Sequence, residues 1–127
     1  MAVVNILVVD DEPLIGVAFQ RELNMDGYKV DIVQSGEEAL KAVRQKKYDL
    51  VLIDKDMPGM DGIETCKEIR KITPEPVLVF MTGLFDKQNL SREREFVAAG
   101  GRTYCLYKPF AQGELRATVQ KALNEVK

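Results

Sequence analysis

Four apolar runs in this chain each end in a residue able to do chemistry: Asp10 and Asp11 close the first, Asp54 a second, Thr82 a third and Lys108 a fourth. An aspartate carboxylate is ionised at neutral pH and can attack phosphorus directly, giving an acyl phosphate without help from a base. That matters here, because the chain contains no histidine, and so lacks the commonest general base and metal ligand. Three carboxylates gathered in one place repel one another unless a cation joins them. Mg2+ suits such a set, since it prefers hard oxygen ligands and takes one or two carboxylates together with water and phosphate oxygens. Three acids, one dication and the Lys108 ammonium then sum to about zero charge, which lets a phosphoryl group approach. Its transition state needs positioning and charge stabilisation, for which Lys108 offers an ammonium and Thr82 a hydroxyl donor. Taken singly, each residue has an ordinary reading: a solvated loop or helix cap at Asp10-Asp11 ahead of Pro13, a turn at Thr82-Gly83, a surface lysine at Lys108. It is their joint placement at the ends of four strands that argues for a site.

The elements that must carry these residues follow from periodicity. Ile6–Val9 and Leu50–Ile53 are continuous apolar runs, the mark of strands buried on both faces. Pro13 starts a helix whose apolar residues Ile15, Ala18, Phe19 and Leu23 recur at helical spacing before Gly27 stops it. A weaker strand is expected at Tyr28–Val33, and Ser35 with Glu38 forms a capping box for a helix through Ala39, Leu40 and Val43. Met57–Gly62 reads as a turn leading into a helix with Ile63, Cys66 and Ile69; Pro76 precedes a fourth strand, Val77–Met81. Residues 84–90 read as loop, Leu90–Ala99 as a short helix broken by Gly100-Gly101, and Thr103–Tyr107 as a fifth strand. After Lys108-Pro109 a final helix places Leu115, Val119, Ala122 and Val126 on one face. Strands alternating with helices imply a parallel α/β sheet with helices on both faces, joined by right-handed crossovers. In such sheets the binding crevice lies at the carboxyl ends of the strands, where all five residues fall.

Composition narrows the classes. At 127 residues, 46% hydrophobic, the chain is expected to form a single domain over 1–127. Lysine and arginine number 18 against 20 acids, a net of −2 with no charge block, so no direct nucleic-acid binding is expected. The apolar runs are too short for a membrane span or a secretory signal, and a cytoplasmic protein is expected. Cys66 and Cys105 are then expected as buried or semi-buried thiols.

Four stretches together resemble the receiver domains of two-component response regulators: Ile6–Pro13, Asp54 with Met57–Gly62, Met81-Thr82-Gly83, and Lys108-Pro109-Phe110. The resemblance runs from Ile6 to about Val126. It implies a flavodoxin-like, doubly wound five-stranded sheet in the order 2-1-3-4-5, an order taken from the fold class and not from spacing. It also implies phosphorylation of Asp54 by a sensor histidine kinase or a histidine phosphotransfer protein, with no further enzyme activity. Asp10 and Asp11 would hold Mg2+ beside Asp54, the main-chain carbonyl of Asp56 would complete the metal site, and Thr82 and Lys108 would bind phosphoryl oxygens. The Lys108-Pro109 peptide is expected to be cis. Phosphorylation would remodel the face formed by the fourth helix, fifth strand and fifth helix, for a downstream protein target or a homodimer. The sequence ends at Lys127, directly after the last helix, so the expectation is a receiver without an attached output domain, standing alone or cut from a longer regulator or hybrid kinase.

Three features depart from the family pattern. The position of the switch aromatic holds Cys105, between Tyr104 and the strand end at Tyr107; Tyr104 serves only if the strand carries a bulge. Lys55 follows the acceptor where an apolar residue is usual, either as a solvated side chain or as a charge that weakens Mg2+ binding. The Thr82–Lys108 stretch is several residues longer than is common in the family, an excess assigned to Leu84–Glu93. Rival readings stay open. Asp54-Lys55-Asp56 resembles the nucleophile motif of haloacid-dehalogenase-type phosphatases, although those place it on the first strand. A receiver-like module that works without phosphate is the second rival. A flavin protein is disfavoured, because the first strand leads into an acidic turn and not a Gly/Ser/Thr-rich loop.

Overall fold

The computed structural model describes residues 3–54, 57, 59–83, 105–108 and 113–124; of Thr82, Gly83 and 105–108 it describes the backbone path alone. Five strands, β1 (Asn5–Val9), β2 (Lys29–Val33), β3 (Leu50–Asp54), β4 (Val77–Gly83) and β5 (Cys105–Lys108), form one sheet in the order β2-β1-β3-β4-β5. Every neighbouring pair is parallel. Three helices, α1 (Pro13–Asn24), α2 (Gly36–Gln45) and α3 (Gly62–Ile72), and a C-terminal helix, Glu114–Asn124, complete the described elements.

Strand alternation divides the core in two. Leu7, Val9, Val51, Ile53, Leu78 and Phe80 point to one face, where Ala39 and Val43 of α2 and Ile63, Cys66 and Ile69 of α3 cover them. Ile6, Val8, Leu50, Leu52, Val79 and Met81 point to the other, against Phe19 and Leu23 of α1 and Leu115, Val119 and Ala122 of the C-terminal helix. Burying each such Leu, Ile, Val or Phe contributes about 1.5–3 kcal/mol, so both layers are needed to hold the central strands.

The helix starts follow their sequence signals. Ser35 caps α2, its Oγ accepting from the Glu38 N–H at 3.1 Å. The Glu38 carboxylate returns not to the Ser35 N–H of a standard capping box but to the Gln34 N–H, at 2.8 Å. Asp61 caps α3 through the Glu64 N–H at 2.9 Å. Pro13 opens α1, and Gly27 adopts φ +84° in the turn beyond it.

Three expectations are revised. Ala18 is exposed and Gly16 faces inward in its place, where a Cβ would stand 2.5 Å from Ile32 Cγ2; α1 lies so close to β2 that the inward position has no room for a side chain. β4 runs two residues further than its apolar run, because pairing with β5 continues through Thr82 and Gly83. β2 begins at Lys29, one residue late. The expected helix at 90–99, the Lys108-Pro109 peptide, the loop at 84–93 and Val126 lie outside the described residues.

Candidate functional site

The site is assembled by register. Val9 of β1 pairs with Ile53 of β3, so Asp10 and Asp54 are the next residues on adjacent strands. The ladder continues at Asp10, whose N–H donates to the Val33 carbonyl at 3.1 Å. Asp54 pairs with Met81, which sets Thr82 one residue beyond it, and Gly83 pairs with Lys108. Residues from four strands therefore reach the carboxyl edge of the sheet at nearly one level, on either side of the β1/β3 boundary where chain order reverses.

Asp10 is fully buried and Asp54 is 4% exposed, in a chain whose only other fully buried polar side chain among the described residues is Thr65. Burying a carboxylate costs several kcal/mol unless it gains partners, so two such groups on adjacent strand ends call for compensation. Asp10 Oδ1 accepts from the Glu12 N–H at 2.9 Å, which turns the chain from β1 towards α1. Asp11 and Glu12 reach solvent, and the carboxylates of Asp10, Asp11 and Glu12 offer oxygens all within 4.8 Å of one another. Like charges at such separations oppose each other by about 1 kcal/mol in bulk water and about 4 kcal/mol at the lower effective permittivity near a protein surface. An all-oxygen set that includes buried Asp10, with buried Asp54 on the adjacent strand end, fits a hard dication such as Mg2+.

The sequence places Asp10, Asp11 and Asp54 together; strand register sets Asp10 and Asp54 on adjacent strand ends, while the carboxylates within 4.8 Å of one another are those of Asp10, Asp11 and Glu12, without Asp54. Backbone register brings Thr82 and Lys108 to this edge; Asp56 and Lys55 lie outside the described residues. Glu12 was missed. Its signal was present as the third acid of the run, but a residue at a helix start reads first as a cap, and Glu12 is indeed the N-cap of α1 while making no side-chain cap bond. The Cys66 thiol is buried, and burial pushes its pKa up to about 12, opposed by Arg70 and Lys67, so it is no nucleophile at neutral pH.

A family model for the response regulator receiver domain matches residues 6–120. The chain belongs to the response regulator receiver family. This receiver is 36% identical over 122 residues to the response regulator MprA of Mycolicibacterium vanbaalenii, covering 95% of this chain and 51% of MprA. It is 39% identical over 120 residues to the transcriptional regulatory protein ZraR of Salmonella typhimurium, covering 94% of this chain and 26% of ZraR. The chain thus spans about half the length of the first relative and about a quarter of the second. Its fold is that of a CheY-like receiver domain protein from Methanospirillum hungatei, with a TM-score of 0.87 at 26% identity, over 98% of this chain and 96% of that one. The receiver has the flavodoxin-like fold, and no described helix is long and apolar enough to cross a membrane.

Proposed function

We propose that this receiver accepts a phosphoryl group on Asp54 and that Asp10, Asp11, Thr82 and Lys108 prepare the site. An oxygen of the Asp54 carboxylate attacks phosphorus, the bond from phosphorus to the donor breaks, and an acyl phosphate remains on Asp54. Asp10 and Asp11, with the main-chain carbonyl of Asp56, are the groups that would hold Mg2+. When bound, that ion supplies positive charge to offset the acids and the transferred group. Lys108 and Thr82 bind the phosphoryl oxygens. The burial of Asp10 and Asp54 on adjacent strand ends, beside an acid run, carries this reading.

The donor is a sensor histidine kinase or a histidine phosphotransfer protein, and the chain, a single receiver domain over 1–127, catalyses only its own phosphorylation and dephosphorylation. Output runs through a protein target, or a homodimer, at the face of the last helices and β5, in the cytoplasm. The phosphatase rival is not favoured, because Asp54 stands on the third strand and the acid pair on the first.

Mg2+ with a small acyl-phosphate or phosphoramidate donor should add one phosphoryl group, seen by mass spectrometry and removed by hydroxylamine. Labelling that persists in Asp54→Asn, or needs no divalent cation, would overturn the reading. Multiple turnover of a simple phosphate ester would restore the phosphatase.

A further inference from the structure

The first turn of α2 gives no side chain to the acid cluster, yet it touches the carriers of both buried aspartates. On one side, Val33 accepts the Asp10 N–H at 3.1 Å, and the chain then enters α2 through Gln34 and Ser35, each bonded to Glu38. On the other side, Gly36 lies against the segment that follows Asp54. A Cβ on Gly36 would stand 2.3 Å from Thr65 Oγ1, 3.0 Å from Met60 Sδ and 3.1 Å from Met60 Cβ. Thr65 has nowhere to go: it is fully buried, and its hydroxyl donates at 2.7 Å to the Asp61 carbonyl that also takes its own N–H. Beside it, Glu37 Oε1 would lie 3.5 Å from a Cβ on Gly59, which turns the chain with φ +78°. Met57, earlier in the same segment, is held in the α2/α3 core.

We propose that Gly36 is a positioning residue for the phosphoryl site, resting on the reading of Asp10 and Asp54 as one Mg2+ and phosphoryl site. Bare backbone at this position lets the first turn of α2 seat Met60 and Thr65 directly. One short helix turn then sets the spacing between the arm that ends in Asp10 and the arm that leaves Asp54. A side chain at position 36 meets a short, branched, hydrogen-bonded threonine, so the displacement passes to Met60 and Gly59 and misplaces the Asp54 side of the site.

The test compares Gly36→Ala with Val43→Ala, a core truncation on the same helix away from the turn. MgCl2 binding is measured by calorimetry, labelling by an acyl-phosphate donor, and Tm by circular dichroism. Gly36→Ala should weaken Mg2+ binding roughly ten- to hundredfold, the range for loss of groups that orient metal ligands. Val43→Ala should lower Tm and leave Mg2+ affinity unchanged. Adding Thr65→Ala to Gly36→Ala removes the colliding oxygen and should recover part of the affinity. Wild-type affinity in Gly36→Ala, an equal loss in Val43→Ala, or no recovery in the double variant overturns the proposal. If Gly36→Ala does not fold, the double variant is compared with Thr65→Ala alone; the remaining Met60 contact should still weaken Mg2+ binding, and equal affinities overturn it. A wild-type chain that neither binds Mg2+ nor labels overturns the underlying site reading as well.

Discussion

The carboxyl edge of the sheet and the region formed by β2 with the turns that lead into β2 and β3 both hold aspartates, and they surround them differently. In the second region Asp26, Asp31 and Asp49 each accept from a group on a distant part of the chain, whereas Asp10 at the carboxyl edge accepts from the Glu12 N–H two residues on. Asp26 accepts from Arg116 Nε at 3.0 Å and from its terminal nitrogen. Asp31 accepts from Lys46 Nζ at 2.9 Å and from the Tyr48 hydroxyl at 2.7 Å. Asp49 accepts the Asn5 N–H at 2.8 Å. The titration follows suit: the Arg116 hydrogen bond holds Asp26 below the usual carboxylate range. At Asp31 burial pushes the pKa up, but the bonds from Lys46 and Tyr48 outweigh it and the net direction is down. Tyr48 is driven up by burial and by Asp31. At the carboxyl edge Asp10, Asp11 and Glu12 are set against one another, with buried Asp54 on the next strand. Acids matched with distant donors fasten elements together, whereas the acids gathered at the carboxyl edge are the ones that the proposed function assigns to a cation.

The largest expected effect is at the proposed acceptor. Asp54→Asn should abolish phosphoryl incorporation from an acyl-phosphate donor with MgCl2 while keeping the far-UV circular dichroism of the wild type; undiminished labelling would remove Asp54 as the acceptor. Next comes the metal. Mg2+ at about 100 times its Kd should stabilise the wild type by about 2.7 kcal/mol, and Asp10→Asn should lose most of that in chemical denaturation with and without MgCl2. Equal Mg2+ stabilisation of both proteins would remove Asp10 from the site.

The turns should answer to pH instead of Mg2+. Because the folded pKa of Asp26 is lowered from 3.8, its pair with Arg116 adds stability that is fully present above that value. It is lost as pH falls through the lower, folded one. Arg116→Met should therefore reduce Tm at pH 7, and the gap to wild type should close in strong acid; a gap independent of pH would assign the loss to packing. Smallest of all, Lys46→Ala should cost no more than about 0.5 kcal/mol, shrinking with added salt, because both partners are more than a third exposed.

Much of this was legible beforehand, for local reasons. Ile6–Val9 and Leu50–Ile53 read as buried strands because both faces are covered, and Ser35 with Glu38 marked the start of α2. Other features escaped because they depend on contact across the chain. The Asp26–Arg116 pair joins residues 90 positions apart. Ala18 was placed on the inward face by its spacing, until the approach of α1 to Ile32 put Gly16 there in its place. Glu12 was legible as an acid but not as a member of the cluster.

The amino-acid order by itself determined the alternation of strands and helices and the residues that stop each apolar run, because periodicity and chain termination of an element act over a few neighbouring residues. Only the tertiary structure decided that Asp10 and Asp54 are buried on adjacent strand ends and that a Cβ on Gly36 would stand 2.3 Å from Thr65 Oγ1. Those facts depend on strand register and on how closely two helices approach, and no stretch of sequence encodes a distance to a distant one.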